Sequence, residues 1–143
     1  IIGYNSDDVL DGGAGNDVLK GGSGSDTYKF GRNSDNDVIE EAYDFRPNTD
    51  RVLLDAEITM SDVSFSRIDT GFDLQLNLAD SDSTLIIKNY FFQDGNSPMV
   101  VEEFHFTDGT VWDRHVVKTM ALASTSGDDV IIGYASDDVL DGD

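Results

Sequence analysis

The chain has 143 residues and a formal net charge of −20, from 29 acidic and 9 basic side chains, and it contains no cysteine. This charge excludes nucleic acid and anionic membranes from the expected partners, because each would need a basic face. No apolar run approaches the roughly 18–20 residues of a membrane span, so none is expected. Aspartate outnumbers glutamate by 24 to 5, which favours turns and oxygen-rich sites for hard cations.

Residues 3–29 consist of three units of nine residues, GYNSDDVLD, GGAGNDVLK and GGSGSDTYK. In each unit, six residues rich in Gly and Asp favour a turn, and the next three span about 10 Å as a short strand. An irregular fourth unit, FGRNSDNDVIE, follows the same pattern, as do STSGDDVII and GYASDDVLD near the other end. The middle residue of each strand is predicted to point inward. These inward residues are Leu10, Leu19, Tyr28, Ile39, Ile131 and Leu140.

Two such units would form one coil of a flattened parallel spiral, so that the first turn stacks on the third. The stacking would place Asp8 above Asp26 and Asp17 above Asp37. Adjacent carboxylates repel strongly at short range unless a cation lies between them. Because Ca²⁺ takes six or more oxygen ligands, including carboxylates and backbone carbonyls, the pattern predicts calcium sites shared between adjacent coils. Calcium binding is then expected to be coupled to folding.

The Gly- and Asp-rich units fit neither a flexible linker nor an EF-hand. A flexible linker would not keep an apolar residue two positions after each aspartate at a nine-residue spacing. An EF-hand is excluded, because no D-x-[DN]-x-[DN]-G loop with glutamate at its twelfth position occurs in the sequence.

The segment 41–123 lacks the nonapeptide and is predicted to form antiparallel strands. Residues 51–54 read as a short strand, and GFDLQLNL alternates between apolar and polar residues, which is typical of a half-buried strand. The Asp-Gly pair of TDGT, at 107–110, predicts a hairpin between VVEEFHF and TVW. Asp113 is placed to cap a short helix, RHVVKTMAL, with Val116, Val117 and Met120 on one side. The predicted inward residues of GFDLQLNL are Phe72, Leu74, Leu76 and Leu78.

Few residues indicate reaction chemistry. His105 and His115 are the only histidines, and in a chain without cysteine a zinc site would need further ligands from Asp or Glu, so ordinary packing or surface exposure is the favoured interpretation. No G-x-S-x-G or other nucleophile motif occurs, so no enzymatic activity is expected. The aromatic residues of 90–92 and Trp112 could bind a sugar if they were exposed, although core packing is the favoured interpretation.

The repeat units resemble the calcium-binding nonapeptides of the RTX (repeat-in-toxin) family, most closely in GGAGNDVLK and GGSGSDTYK. The segments TDRVLL, FDLQLNL, LIIKNYFF and VEEFHFTDGTVW resemble the haemolysin-type calcium-binding-related domain that flanks such repeats. The resemblance implies an all-β chain in three parts. These are a parallel β-roll at 1–40, an antiparallel β-rich cap with one short helix at 41–123, and the truncated start of a second β-roll at 124–143.

The resemblance also implies that aspartate carboxylates and turn carbonyls bind Ca²⁺. It implies a structural module of a larger bacterial toxin or adhesin, exported unfolded by type I secretion and folded by calcium outside the cell or at its surface. The alternative is an accessory or carbohydrate-binding module of a secreted RTX enzyme or adhesin. The predicted ligand residues are Asn5, Asp8, Gly13, Ala14, Gly15, Asp17, Gly22, Ser23, Gly24, Asp26, Asp35, Asp37, Asp129 and Asp138.

The repeats begin again near the end of the sequence. Residues 131–142, IIGYASDDVLDG, match residues 1–12 at eleven of twelve positions. We therefore expect the chain to span slightly more than one period of a tandem array. Besides calcium ions, the expected partners are adjacent modules of the same array, and self-association could occur by head-to-tail stacking of the roll ends.

Overall fold

The computed structural model describes residues 1–44, 46–68, 71–92 and 100–122. This part of the chain is rich in strands, contains one α-helix and forms two mixed sheets. None of its helices is long and apolar enough to cross a membrane. Its elements are β1 (Ile2–Tyr4), β2 (Val9–Asp11), β3 (Val18–Gly22), β4 (Thr27–Phe30), β5 (Asn36–Ile39), β6 (Arg51–Leu54), β7 (Val63–Ile68), β8 (Asp73–Leu78), β9 (Thr84–Ile87), β10 (Glu103–His105), β11 (Val111–Asp113), α1 (Arg114–Ala121) and a 3-10 turn at Met60–Asp62.

Each sheet combines a parallel part with an antiparallel part. The first sheet has the order β1-β3-β5-β9-β8-β7, in which β1, β3, β5 and β9 are parallel and β8 and β7 are antiparallel. The second has the order β11-β10-β6-β4-β2, in which only β11 pairs antiparallel. Successive strands of the repeats alternate between the sheets, because a Gly- and Asp-rich turn follows each short strand.

The strand register follows the length of the repeat. Leu10 pairs with Tyr28, which lies two nine-residue units later. Leu19 pairs with Ile39, which lies two nine-residue units and two further residues later. The irregular fourth unit is two residues longer than the others, which accounts for the difference. All four side chains are buried in the core, which confirms the prediction that they point inward. Ile131 and Leu140 lie outside the described residues.

The parallel pairing continues beyond residue 40, where the sequence predicted antiparallel strands. β6 is parallel to both β4 and β10, and β9 is parallel to β5. The column of inward residues therefore extends from Tyr28 to Val52 and Phe104, which are both buried. The antiparallel prediction is wrong for β6 and only half correct for β9, which is parallel to β5 but antiparallel to β8. The sequence could not decide this, because a short strand has the same alternating faces in either direction. The antiparallel prediction is correct for β7 with β8 and for β10 with β11, while the division at residues 40 and 123 stays a prediction.

One predicted inward side chain of the middle segment lies at the surface. Leu74, Leu76 and Leu78 of β8 are buried, whereas Phe72 is 47% exposed. Phe72 precedes the paired part of β8, and its ring lies near that of Phe92, with 6.4 Å between the centroids. The alternation in the sequence thus begins one residue before the strand itself.

Helix α1 begins where the sequence predicted. The carboxylate of Asp113 accepts a hydrogen bond from the backbone N–H of Val116 at 3.0 Å, which is the expected N-terminal cap. Val117 is buried and Met120 packs against the core, so this face of the helix covers the sheets next to β7.

Two glycines of the repeats share a backbone conformation but have different surroundings. Gly15 and Gly22 have φ angles of 113° and 104°, a region that residues with a side chain rarely adopt. A Cβ atom at Gly22 would lie 2.1 Å from the carbonyl oxygen of Tyr4 on the neighbouring strand. A Cβ atom at Gly15 would have nothing within 4 Å. Gly22 is therefore required by the close approach of two strands as well as by its φ angle.

We expect Gly22→Ala to lower the free energy of unfolding more than the matched control Gly15→Ala. Both substitutions introduce backbone strain of about 1–3 kcal/mol. Gly22→Ala adds a steric cost of about 1–3 kcal/mol, because the new methyl group overlaps the backbone of β1. Chemical denaturation of both variants in saturating Ca²⁺ measures the difference. Equal losses of stability would contradict the close approach of β1 and β3.

Candidate calcium sites

At the edge where the chain passes from the first sheet to the second, backbone hydrogen bonds join a column of acidic side chains. The N–H of Asp8 donates to Oδ1 of Asp26 at 2.9 Å, and the N–H of Asp26 donates to Oδ1 of Asp50 at 2.7 Å. The N–H of Asp50 donates in turn to Oε2 of Glu102 at 2.8 Å. We call these four residues the carboxylate ladder. In this ladder, the carboxylates of Asp26, Asp50 and Glu102 each accept a hydrogen bond from the backbone N–H of the acidic residue one coil earlier in the chain.

The opposite edge, where the chain returns to the first sheet, has a shorter column. The N–H of Asp17 donates to Oδ1 of Asp37 at 2.9 Å, and the N–H of Gly15 donates to Oδ2 of Asp35 at the same distance. The residue paired with Asp37 on the next strand is Leu85, which has no carboxylate. This column of carboxylates therefore ends at Asp37.

The structure brings together the aspartates that the sequence placed in pairs, Asp8 with Asp26 and Asp17 with Asp37. Asp129 and Asp138 lie outside the described residues. The role of all these residues as calcium ligands stays a prediction. The other predicted ligands that the structure describes lie in or beside the stacked turns, and they are Asn5, Gly13, Ala14, Gly15, Gly22, Ser23, Gly24 and Asp35.

Sequence reasoning missed Asp50 and Glu102, which lie outside the nonapeptide pattern. Each of them stands two residues before a buried apolar residue, Val52 and Phe104 respectively. The same spacing identified the aspartates of the repeats, but around these two residues the accompanying glycines are missing. An acidic residue two positions before a buried apolar residue was therefore the sequence pattern that could have identified Asp50 and Glu102.

The paired aspartates have features expected of calcium ligands. Asp26 and Asp37 are 0% and 1% exposed, and the Oδ2 atom of each has no hydrogen-bond partner. A buried carboxylate oxygen without a partner is unfavourable, and a hard cation would satisfy it. In the described part of the chain, no three acidic or histidine side chains converge closely enough to hold a metal ion. An ion between the turns would therefore take further ligands from backbone carbonyls, and the residues fit calcium on that basis.

The first glycine of a unit leaves space for the carboxylate of the same unit. A Cβ atom at Gly3 would lie 2.6 Å from Oδ2 of Asp8, and one at Gly21 would lie 2.1 Å from Oδ2 of Asp26. Neither glycine has a positive φ angle. The repeats therefore need glycine at this position because the carboxylate lies against the backbone, and not because of the backbone conformation.

Burial and mutual repulsion both disfavour the charged form of these carboxylates. Burial raises the pKa of Asp26 and of Asp37, and neighbouring carboxylates add to the rise, whereas the backbone hydrogen bond to each opposes it. Burial likewise raises the pKa of Asp50 to about 7, and the charges of Glu102 and Asp26 contribute. Either protons or cations can relieve this repulsion near neutral pH.

The aromatic residues considered for sugar binding are mostly part of the core. Tyr90 and Phe91 are buried, with their ring centroids 5.1 Å apart. Trp112 is partly buried and its ring lies 4.7 Å from that of Phe106. Phe92 is exposed. This arrangement favours the core-packing interpretation over an aromatic platform for a sugar.

Comparisons with known proteins agree with the repeat pattern. The family model for the RTX calcium-binding nonapeptide repeat, in four copies, matches residues 2–36 and 122–143. The model for the haemolysin-type calcium binding protein related domain matches residues 73–115. The chain is also 35% identical over 85 residues to the iron-regulated protein FrpA of Neisseria meningitidis serogroup C. That match covers 59% of this chain, which spans only 7% of the length of FrpA.

We expect calcium-free protein to lose stability as the pH rises. The pKa of Asp50 is about 7 in the folded state, above the ordinary value of 3.8, so the folded state binds its proton more tightly than the unfolded chain. The resulting stabilisation is complete below about pH 4 and is lost as the pH rises through about 7. Circular dichroism of protein freed of calcium should therefore show more β-structure at about pH 5 than at about pH 8.

Asp50→Asn should reduce this pH dependence, because the amide cannot ionise but still accepts the hydrogen bond from the N–H of Asp26. Asp80→Asn, at an exposed turn, is the matched control and should leave the pH dependence unchanged. A wild-type spectrum that is the same at both pH values would contradict the argument.

Proposed function

We propose, from the RTX calcium-binding nonapeptide repeats that this chain carries, that it is a non-catalytic calcium-binding structural module of a larger secreted protein. RTX repeats and haemolysin-type calcium-binding domains bind Ca²⁺. The observation that carries the proposal is the stacking of Asp8 on Asp26 and of Asp17 on Asp37, where each pair has a buried oxygen without a partner. Calcium between the turns would satisfy these oxygens and reduce the repulsion within a chain of charge −20.

We further propose that the parallel strands wind as a β-roll with two strands in each coil, and that β7, β8, β11 and α1 cover its last coil. A spiral of strands otherwise ends in exposed core and an unpaired strand edge. The contacts at this end support the proposal. The ring of Phe65 on β7 lies 5.1 Å from that of Phe104 on the last parallel strand, and 6.1 Å from that of Trp112 on β11.

The module is proposed to fold outside the cell, as part of a toxin or adhesin that is exported unfolded by type I secretion. Extracellular calcium modules have dissociation constants of about 10⁻⁴–10⁻³ M, so such a module stays free of calcium in the cytoplasm and is loaded outside. The sequence contains no cysteine, so calcium would provide the cross-links that disulfides provide in many secreted domains.

The proposed tandem array is supported by the end of the sheets at β1 and β2. These two strands lie at the sheet edges, and Ile2, Tyr4 and Val9 on them are exposed. Residues 131–142 repeat residues 1–12 almost unchanged, so a copy of this sequence from an adjacent module would continue the nine-residue pattern beyond β1 and β2. The array would then be built by stacking the last repeats of one module on the first coil of the next.

The proposed function predicts that calcium binding folds the chain. The chain should be largely disordered in EGTA and should become rich in β-structure at about 10 mM Ca²⁺, roughly tenfold above a millimolar dissociation constant. Circular dichroism measures the change. Mg²⁺ at the same concentration is the control and should have a much smaller effect, because it prefers small octahedral sites and retains its water. A spectrum that is the same in EGTA and in Ca²⁺ would overturn the proposed function.

The proposed tandem array predicts that the chain self-associates. At high protein concentration in Ca²⁺, sedimentation velocity should detect dimers and larger species, formed when residues 124–143 of one copy stack on β1 and β2 of another. Val9→Lys should weaken this association, because it adds a charge to the exposed edge strand. Met60→Lys, at an exposed position away from that edge, is the control. A chain that stays monomeric in Ca²⁺ would count against head-to-tail stacking.

A further inference from the structure

Glu41 occupies a position that is glycine in two of the preceding units. It follows Asp37 by four residues, as Gly12 follows Asp8 and Gly21 follows Asp17. The glycines leave space for a carboxylate of their own unit, whereas Glu41 brings a carboxylate of its own. The segment that follows the repeats therefore adds an acidic side chain to the edge that holds the carboxylate ladder.

The side chains of Asp26, Tyr28 and Glu41 meet next to Gly21, and we call these three residues the Tyr28 cluster. The hydroxyl of Tyr28 donates to Oε1 of Glu41 and accepts a hydrogen bond from the N–H of Gly21 at 2.8 Å. A Cβ atom at Gly21 would lie 2.1 Å from Oδ2 of Asp26 and 2.4 Å from the hydroxyl of Tyr28. The hydroxyl of Tyr28 and Oδ2 of Asp26 therefore both lie against Gly21, and Glu41 is joined to them through the hydroxyl.

Two carboxylate oxygens of the Tyr28 cluster have no partner. Oδ2 of Asp26 and Oε2 of Glu41 are both buried and accept no hydrogen bond, and Asp26 as a whole is 0% exposed. Among the described residues, no lysine, arginine or histidine forms an ion pair with either carboxylate. Buried carboxylates without a positive partner are strongly unfavourable. The pair is therefore suited to a proton or a cation.

The presence of two free carboxylate oxygens favours a cation over a single proton. One proton would neutralise one carboxylate and leave the other unpaired. A divalent ion would neutralise both and satisfy both free oxygens. Ca²⁺ accepts irregular sets of oxygen ligands, which suits two carboxylates beside a hydroxyl.

We propose that Asp26 and Glu41 bind a calcium ion in the Tyr28 cluster, at a site that the nonapeptides alone do not contain, with the Asp26 carboxylate bridging this ion and the calcium between the turns. This inference rests on the proposed function and adds a ligand from the segment that leads to β6. Calcium at this site ties residue 41 to the coil before it. The metal thereby orders the connection between β5 and β6 as well as the turns of the repeats.

Glu41→Gln tests the site in the full chain, because glutamine still accepts the hydrogen bond from Tyr28 but provides no negative charge. Native mass spectrometry in Ca²⁺ should find one ion fewer on this variant than on the wild type. The variant should also gain less thermal stability from Ca²⁺.

Two further variants separate this inference from the proposed function. Glu57→Gln changes an exposed glutamate and should bind as many ions as the wild type. Asp17→Asn, on the opposite edge, should lose an ion that belongs to the repeats. If Asp17→Asn loses an ion while Glu41→Gln binds as many as the wild type, the Glu41 site is overturned and the proposed function stands. If the wild type binds no calcium, both are overturned.

Glu41→Asp keeps the test decisive if Glu41→Gln does not fold in Ca²⁺. Aspartate retains the charge on a shorter side chain, so this variant should keep the full number of ions but bind the last one more weakly than the wild type. Calcium titration followed by tyrosine fluorescence measures the affinity. An affinity equal to that of the wild type at every site would overturn the inference.

Discussion

Stacking the turns forces like charges together, and the rest of the structure depends on how that repulsion is relieved. The backbone N–H of the acidic residue in each turn donates a hydrogen bond to the carboxylate of the next turn in the stack, as Asp8 does to Asp26 and Asp26 to Asp50. The same hydrogen bonds that set the spacing of the coils therefore bury the carboxylates next to one another. Protons or cations must offset the resulting charge, so the stability of the fold is linked to the solution around it.

The carboxylate ladder and the apolar core are kept in register by one short spacing. An acid stands two residues before an inward side chain in the repeats, and the spacing recurs at Asp50 with Val52 and at Glu102 with Phe104. A slip of one residue in strand pairing would move both the acid and the apolar residue to the wrong face. The parallel pairing can therefore continue through β6 and β10 after the glycines of the nonapeptide have disappeared.

The two edges of the sheets differ in how far the acidic columns extend. On one edge the ladder reaches Glu102, whereas on the other the position paired with Asp37 is Leu85, and the strands beyond it turn antiparallel. The carboxylates are thus concentrated on one side, where Tyr28 and Glu41 also lie. Aromatic and aliphatic side chains cover the far end, where Phe65 packs against Phe104.

The sequence by itself determined the strand length, the turns and the inward residues of the repeats, because a nine-residue period is a local property of the chain. It also determined that Asp8 stacks on Asp26 and Asp17 on Asp37, since two units make one coil. Only the tertiary structure decided the direction of β6 and β9 and the places of Asp50 and Glu102. The hydrogen bond from Asp26 to Asp50 spans 24 residues and that from Asp50 to Glu102 spans 52. Connections of irregular length separate these partners, and no local pattern fixes how such a connection returns to the sheet.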